Sequence, residues 1–212
     1  MNTLEAIYNR RSCRNFTDEP VTGEQIDTIL KAAFSAPTAV NTQPWEYIVI
    51  NDESVLDKVK EKMYFAKYNA HTAIVVCGNM KLALKGQDKD LWICDCSAAI
   101  ENMLLAATDL GLGSLWVGIF PIEQRMETMR KILDIPSHVN PLGMVYLGYP
   151  VHVSEGRCRY REKAVYYQKY DPYPFIIYPI FRKRNCSVKY MISYRPVGCL
   201  QIMTSFAQIH PK

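Results

Sequence analysis

The sequence predicts one domain in which helices alternate with buried strands, an α/β or α+β fold. Three observations carry that expectation. Short apolar runs of strand character stand at 45–50 (WEYIVI), 73–77 (AIVVC) and 143–148 (GMVYLG). Helix-period stretches lie between them, the strongest at 93–110. No internal repeat or linker interrupts the chain before residue 150. With 212 residues, 49% hydrophobic and 22% charged, the chain can bury one sizeable core.

A short amphipathic helix opens at Thr3, with Leu4, Ile7 and Tyr8 on one side, and its end runs into a cluster of arginines. Thr22 to Phe34 reads as a second helix: Thr22 and Gln25 make a capping box, Ile26, Ile29, Leu30 and Ala33 an apolar face. Ser35-Ala36-Pro37 ends it. Trp45 to Ile50 has the pattern of a buried strand, Glu53 to Lys62 of a helix, and Ala73 to Cys77 of a core strand. Ile93, Cys96, Ile100, Met103, Ala107 and Leu110 recur every three or four residues, which predicts a long helix buried along one seam and closed by Gly111 at C′. Ser114 to Val117 is extended, Ile122 to Leu133 a helix, and Gly143 to Gly148 the third core strand.

Charge is unevenly placed. Six of the 25 cations and none of the 21 acids lie beyond Asp171, so the first 171 residues carry a net −2 and the last 41 are basic. The seven cysteines show no CxxC spacing, and the start, MNTLEAIYNRR, lacks an apolar signal region. These features predict a cytoplasmic protein with reduced thiols. No run approaches the 18 or so apolar residues of a membrane span.

Three motifs remain. The first is YNRRSCRNF (8–16), which sets Arg10, Arg11 and Arg14 around Ser12. Basic residues at a helix end can be a solvated face that complements the dipole. Phe16 argues that the segment is partly buried, and guanidinium forks beside a hydroxyl suit a phosphate monoester. The second, SAPTAVNTQPW (35–45), is too rich in Pro, Asn, Thr and Gln for regular structure. It is either an ordinary turn-rich connection or a loop that offers backbone N–H groups to a polar ring. The third, GLGSLWVGIFP (111–121), fails as a dinucleotide fingerprint because Trp116 replaces the third glycine and the glycines follow a helix. It reads instead as a helix cap leading into a strand that something flat can approach closely. The four histidines have no metal-ligand spacing, and no nucleophile with its base is evident. A phosphate clamp without chemistry of its own points to a cofactor.

Together, RRSCRNF (10–16), SAPTAVNTQPW (35–45), DCSAAIENMLLAATDLGLGSLWVG (95–118) and MVYLGYP (144–150) followed by RCRYR (157–161) resemble the nitroreductase family of dimeric FMN-dependent oxidoreductases. The resemblance covers about 170 residues and implies an α+β fold with a mixed central sheet flanked by helices, residues 1–171 forming the FMN-binding domain. It implies that Arg10, Arg11 and Ser12 hold the FMN phosphate and ribityl chain, with Arg14 nearer the ribityl and pyrimidine edge as an electrostatic stabiliser of the reduced flavin. Pro37, Thr38, Ala39 and Asn41 would lie beside the isoalloxazine, Trp116, Val117, Gly118 and Ile119 against it, and Arg157 and Arg159 would reach the phosphate. The implied reaction is ping-pong: NADH or NADPH gives hydride to the flavin and leaves, and a nitroaromatic, quinone or similar small acceptor takes its place. The implied partner is a second copy of the chain, since each FMN site in the family is built from both subunits.

Two rivals stay open. A flavin carrier or sensor without turnover would share the clamp. A nucleic-acid binder would use the arginines and the basic tail, but the cations of the body are not interleaved with a stacking platform, so no nucleic-acid partner is expected. The extension 172–212 departs from the family pattern and has no assigned role.

Overall fold

The computed structural model describes residues 1–153, 156 and 158–170. They fall into two compact units, Met1 to Cys158 and a second that begins at Arg159. The described part of the second holds one 3₁₀ turn, Glu162–Ala164, and a Tyr166–Tyr170 ring pair with centroids 4.5 Å apart. The extension 172–212 lies outside the described residues.

In the first unit, strands β1 (Trp45–Ile50), β2 (Thr72–Asn79), β3 (Gly113–Gly118) and β4 (Val139–Gly148) form one sheet in the order β1-β2-β4-β3. Every neighbouring pair of strands is antiparallel. Among the described residues, the parallel pairing that would make the sheet mixed is a single bridge between Ser12 and Ser114. Helices cover both faces, which is why the central strands β2 and β4 are apolar without alternation. Ile74, Val76, Val145 and Leu147 meet α2 (Gly23–Phe34) and α4 (Leu91–Asp109) on one face. Val75, Cys77, Met144 and Tyr146 meet α3 (Glu53–Lys62) and α5 (Glu123–Leu133) on the other. Helix α1 (Thr3–Asn9) packs on α4.

Local signals explain the element ends. Thr22 and Gln25 cap α2 reciprocally. Helix α4 ends in a Schellman arrangement: the Leu112 amide reaches the Ala107 carbonyl at 2.8 Å and the Gly111 amide that of Thr108 at 3.1 Å, with Gly111 at φ +76°. The expected seam is buried at Cys96, Ile100, Met103 and Ala107. By length and composition α4 could cross a membrane, but eight of its residues are buried within this fold.

Two readings differ from expectation. Leu4, Ile7 and Tyr8 are exposed, and Ala6 is the buried residue of α1. An apolar stripe cannot say whether its partner lies in the same chain. β1 buries only Trp45 and Ile50, because it is an edge strand and one of its sides is half open; its apolar run looks the same as that of a central strand.

Candidate functional site

The arginine segment is an extra, extended piece along the open edge of β3. The Cys13 amide donates to the Ser114 carbonyl at 2.9 Å, Thr17 to Tyr149 at 2.8 Å, and Val151 to Asn15 at 3.1 Å. Phe16, 2% exposed, is the apolar anchor, and Asn69 clamps it on both sides: its Oδ1 accepts from the Phe16 amide at 3.0 Å, and its Nδ2 donates to the Phe16 carbonyl at 2.6 Å. Close approach needs glycine opposite. A Cβ on Gly148 would lie 2.9 Å from the Phe16 ring, and one on Gly113 would lie 2.7 Å from the Cys13 Cβ.

This seating fixes the cations. Arg10 and Arg11 are half-buried, Ser12 and Arg14 exposed. The Arg11 Nη1 donates to the Arg10 carbonyl at 2.6 Å, and Arg10 Nε stands 3.7 Å from the Glu101 carboxylate on α4. The Arg14 Nη1 is 3.5 Å from the Ser12 carbonyl, so its guanidinium has room to turn. Burial pushes the Cys13 thiol up, against the opposing pull of the Asn15 backbone and the Arg14 charge, so the cysteine within the cluster is a poor nucleophile.

Helix α4 links this cationic end to a cavity: Arg10 meets it at Glu101, and its Ile93 and Ser97 line the cavity. Ile93, Ser97 and Glu101 recur every four residues and so form one row on α4, about 12 Å long. Ile93 and Ser97 line a cavity of ≈ 490 Å³ with Trp116, Gly118, Phe120, Pro121 and Leu142, a size within the range of about 300–1,000 Å³ usual for small-ligand sites. Its walls are largely apolar. On β3 the Ser114 hydroxyl is 2% exposed and without a hydrogen-bond partner among the described residues. On β3 the carbonyls of Ser114 and Gly118 both point away from β4, to Cys13 and to Arg125. Strand alternation puts the Trp116 N–H and C=O on the same open edge. A phosphate would meet cations at one end of this helix row and a flat ring an apolar pocket at the other: the residues present fit FMN.

The other candidates are placed as follows. Trp116, 38% exposed, and Gly118 face the cavity. The Val117 and Ile119 side chains are buried in the core, and the Ile119 amide is taken by the Leu142 carbonyl at 3.1 Å. Pro37 and Asn41 are exposed, Thr38 and Ala39 half-buried. This loop sits elsewhere. The Ala39 amide donates to the buried Asp95 carboxylate at 2.8 Å. Asp95 lies about 200° round α4 from both Ile93 and Ser97, on the flank that packs against α2. Within one chain, no loop residue from 37 to 41 lines the cavity. Arg157 lies outside the described residues, and Arg159 belongs to the second unit.

Sequence reading missed three residues. Asn69 seats the arginine segment, Asp95 holds the loop, and Arg125 donates to the Gly118 carbonyl at 3.0 Å while stacking 3.8 Å above the Phe65 ring. Asn69 and Arg125 stand in no motif, and Asp95 opens the stretch 95–118 that reads as a core helix; the partners Phe16, Ala39 and Phe65 are distant in sequence.

A family model described as the nitroreductase family matches residues 7–67 and 60–149. A protein of Archaeoglobus fulgidus that carries a provisional name, NADH dehydrogenase/NAD(P)H nitroreductase, is 47% identical over 149 residues, 69% of this chain and 84% of that protein. The oxygen-insensitive NADPH nitroreductase of Salmonella typhimurium is 30% identical over 80% of this chain and 75% of its own length. Among solved structures, an FMN-dependent nitroreductase of Clostridium difficile superposes with a TM-score of 0.71 at 28% identity, over 79% of this chain and 99% of that one. The fold and these relatives thus define a flavin-type oxidoreductase. The chain belongs to the nitroreductase family.

Proposed function

We propose that two copies of this chain form an FMN-dependent oxidoreductase that uses NADH or NADPH to reduce nitroaromatic, quinone or similar small acceptors by a ping-pong route, in the cytoplasm. NAD(P)H-dependent oxidoreductase activity with FMN is common ground among its named relatives. The observation that carries the reading is one helix, α4, that meets Arg10 through Glu101 and lines an apolar cavity of ≈ 490 Å³ with Ile93 and Ser97.

FMN, when bound, supplies the two-electron chemistry. The chain's residues bind, orient and shield it. Arg10 and Arg11 offer paired N–H donors to a phosphate, and Ser12 adds its hydroxyl. The open N–H and C=O of Trp116 can align the polar edge of a ring, while Ile93, Phe120 and Leu142 exclude water beneath it. Val117 and Ile119 back the site from within the fold: their side chains belong to the core, and the Ile119 amide is held by the Leu142 carbonyl. Arg14, the exposed one of the three cations, is the candidate to stabilise negative charge developing on the reduced ring. Arg157 and Arg159 remain the candidates for a second grip on the phosphate.

The second copy has a structural motive. The loop Pro37–Asn41 lies on the flank of α4 away from its own cavity, so it can serve only the site of a neighbour. The exposed apolar side of α1 at Leu4, Ile7 and Tyr8 is consistent with such a neighbour.

The test is an anaerobic titration of purified protein. A flavin spectrum bleached by NADH or NADPH and restored by a nitroaromatic or quinone is the expected result. Flavin that binds but stays oxidised would point to the carrier or sensor; protein that neither contains nor takes up FMN would overturn both.

A further inference from the structure

We propose that Asp95 is the positioning residue of the loop that completes the flavin site of the second subunit, acting through the Ala39 amide; this rests on the dimeric flavin site proposed above. Asp95 is a carboxylate only 5% exposed in the second turn of a core helix. Its hydrogen bond among the described residues comes from the Ala39 N–H at 2.8 Å. A buried carboxylate with so little compensation is a poor source of stability. What it fixes is one amide at the entry to a strained loop.

That loop is unusual. Val40, Asn41 and Gln43 have φ of 52°, 56° and 47°, three left-handed residues of which none is glycine and one is β-branched. Such conformations persist where their surroundings over-determine them, and they cluster at functional sites. Part of the determination is internal. Thr38 Oγ1 accepts from the Gln43 amide at 3.2 Å, and Thr42 Oγ1 donates to the Ala39 carbonyl at 3.1 Å. These bonds set the loop's shape but not its direction. The tie to α4 is Asp95, and it holds the loop so that Val40 is 83% exposed and Asn41 also faces outward. Asp95 and the cavity-lining pair Ile93 and Ser97 share one helix on opposite flanks. A single rigid rod therefore sets both one chain's cavity wall and the direction in which it extends its loop.

The experiment separates this role from packing. In the Asp95→Ala homodimer the FMN dissociation constant, read by flavin fluorescence, should rise on the order of tenfold, since a buried amide loses its acceptor. Asp95→Asn keeps an oxygen acceptor and should stay close to wild type. The decisive sample is a mixed dimer with Asp95→Ala in one chain and Arg10→Ala in the other. If each loop serves its neighbour, one site combines a normal clamp with a normal loop, and the dimer binds one FMN at wild-type affinity. A mixed dimer without a wild-type site overturns the proposal, as does an Asp95→Ala homodimer of unchanged affinity. Wild-type protein that takes up no FMN overturns the flavin reading itself and this proposal with it. If Asp95→Ala does not fold, Asp95→Ser, whose hydroxyl ends one bond short of the amide, takes its place in both measurements.

Discussion

The segment 10–16 and the loop 37–43 both flank the cavity-lining helix, yet they are held in different ways. The arginine segment is extended, an ordinary backbone state, and is bonded to β3, to the chain after β4 and to Asn69. The loop is left-handed at three non-glycine residues and is tied to α4 through Ala39. The first is a platform whose shape does not depend on the charges it displays. The second stores strain, and its direction depends on a single carboxylate. Substitutions should therefore separate: on the platform, binding and folding can be lost independently, whereas in the loop they are coupled.

The largest effect tests the platform's foundation. Phe16→Ala removes a fully buried ring that packs against Gly148, and should cost about 3–5 kcal/mol of folding stability. Urea unfolding would measure it. A loss below about 1 kcal/mol would mean that the segment is not anchored through this ring.

Next, Arg10→Ala should leave urea unfolding nearly unchanged while weakening FMN roughly ten- to hundredfold, the usual cost of truncating one partner of a charge-assisted bond, about 1.5–3 kcal/mol. Arg10 approaches only the exposed side of Glu101, at 3.7 Å, so its contribution to folding is small. Equal losses in stability and affinity would erase the distinction between platform and display.

A smaller effect uses the platform's own thiol. Burial pushes Cys13 above the ordinary range, whereas Cys94 is exposed on α4. At pH 8, alkylation followed by peptide mass spectrometry should label the exposed Cys94 and Cys158 before Cys13, with Cys13 gaining as pH rises and its thiolate fraction grows. Cys77, pushed up to about 12 by burial, should resist until the protein unfolds. A thiol held neutral in the fold opposes alkaline conditions: its contribution is intact below the unfolded value near 9 and is lost as pH rises from there towards 12.

The contrast between platform and loop also marks what could be read without coordinates. Periodicity and caps are local, so α2 with its Thr22–Gln25 box and α4 with Gly111 at C′ were legible to within a residue or two. The cations of the site stood out because they are adjacent in sequence. Asn69 and Asp95 did not, because an isolated Asn or a single Asp in a helix looks solvated until its partner, 53 or 56 residues away, is known. Left-handed φ at Val40 was equally hidden, since nothing in a β-branched residue announces it. The exposed stripe of α1 shows the same limit from the other side, for Leu4, Ile7 and Tyr8 predict burial but not by which chain.

The smallest effect bears on the loop's strain. Val40→Gly places a residue without a Cβ at φ 52°, where valine pays a steric penalty, and the exposed valine side chain adds little packing to offset the change. Relief of a left-handed residue outweighs glycine's extra chain entropy by a margin of about 0.5–1 kcal/mol, or a rise of roughly 1–4 °C in melting temperature for a domain of this size. If the strain serves to aim the loop, the stabilised variant should at the same time bind FMN less tightly, because glycine widens the directions the loop can take. Stability gained with affinity unchanged would show that the left-handed geometry is tolerated in the loop without being used, and that its aim is set by the Asp95 tie alone.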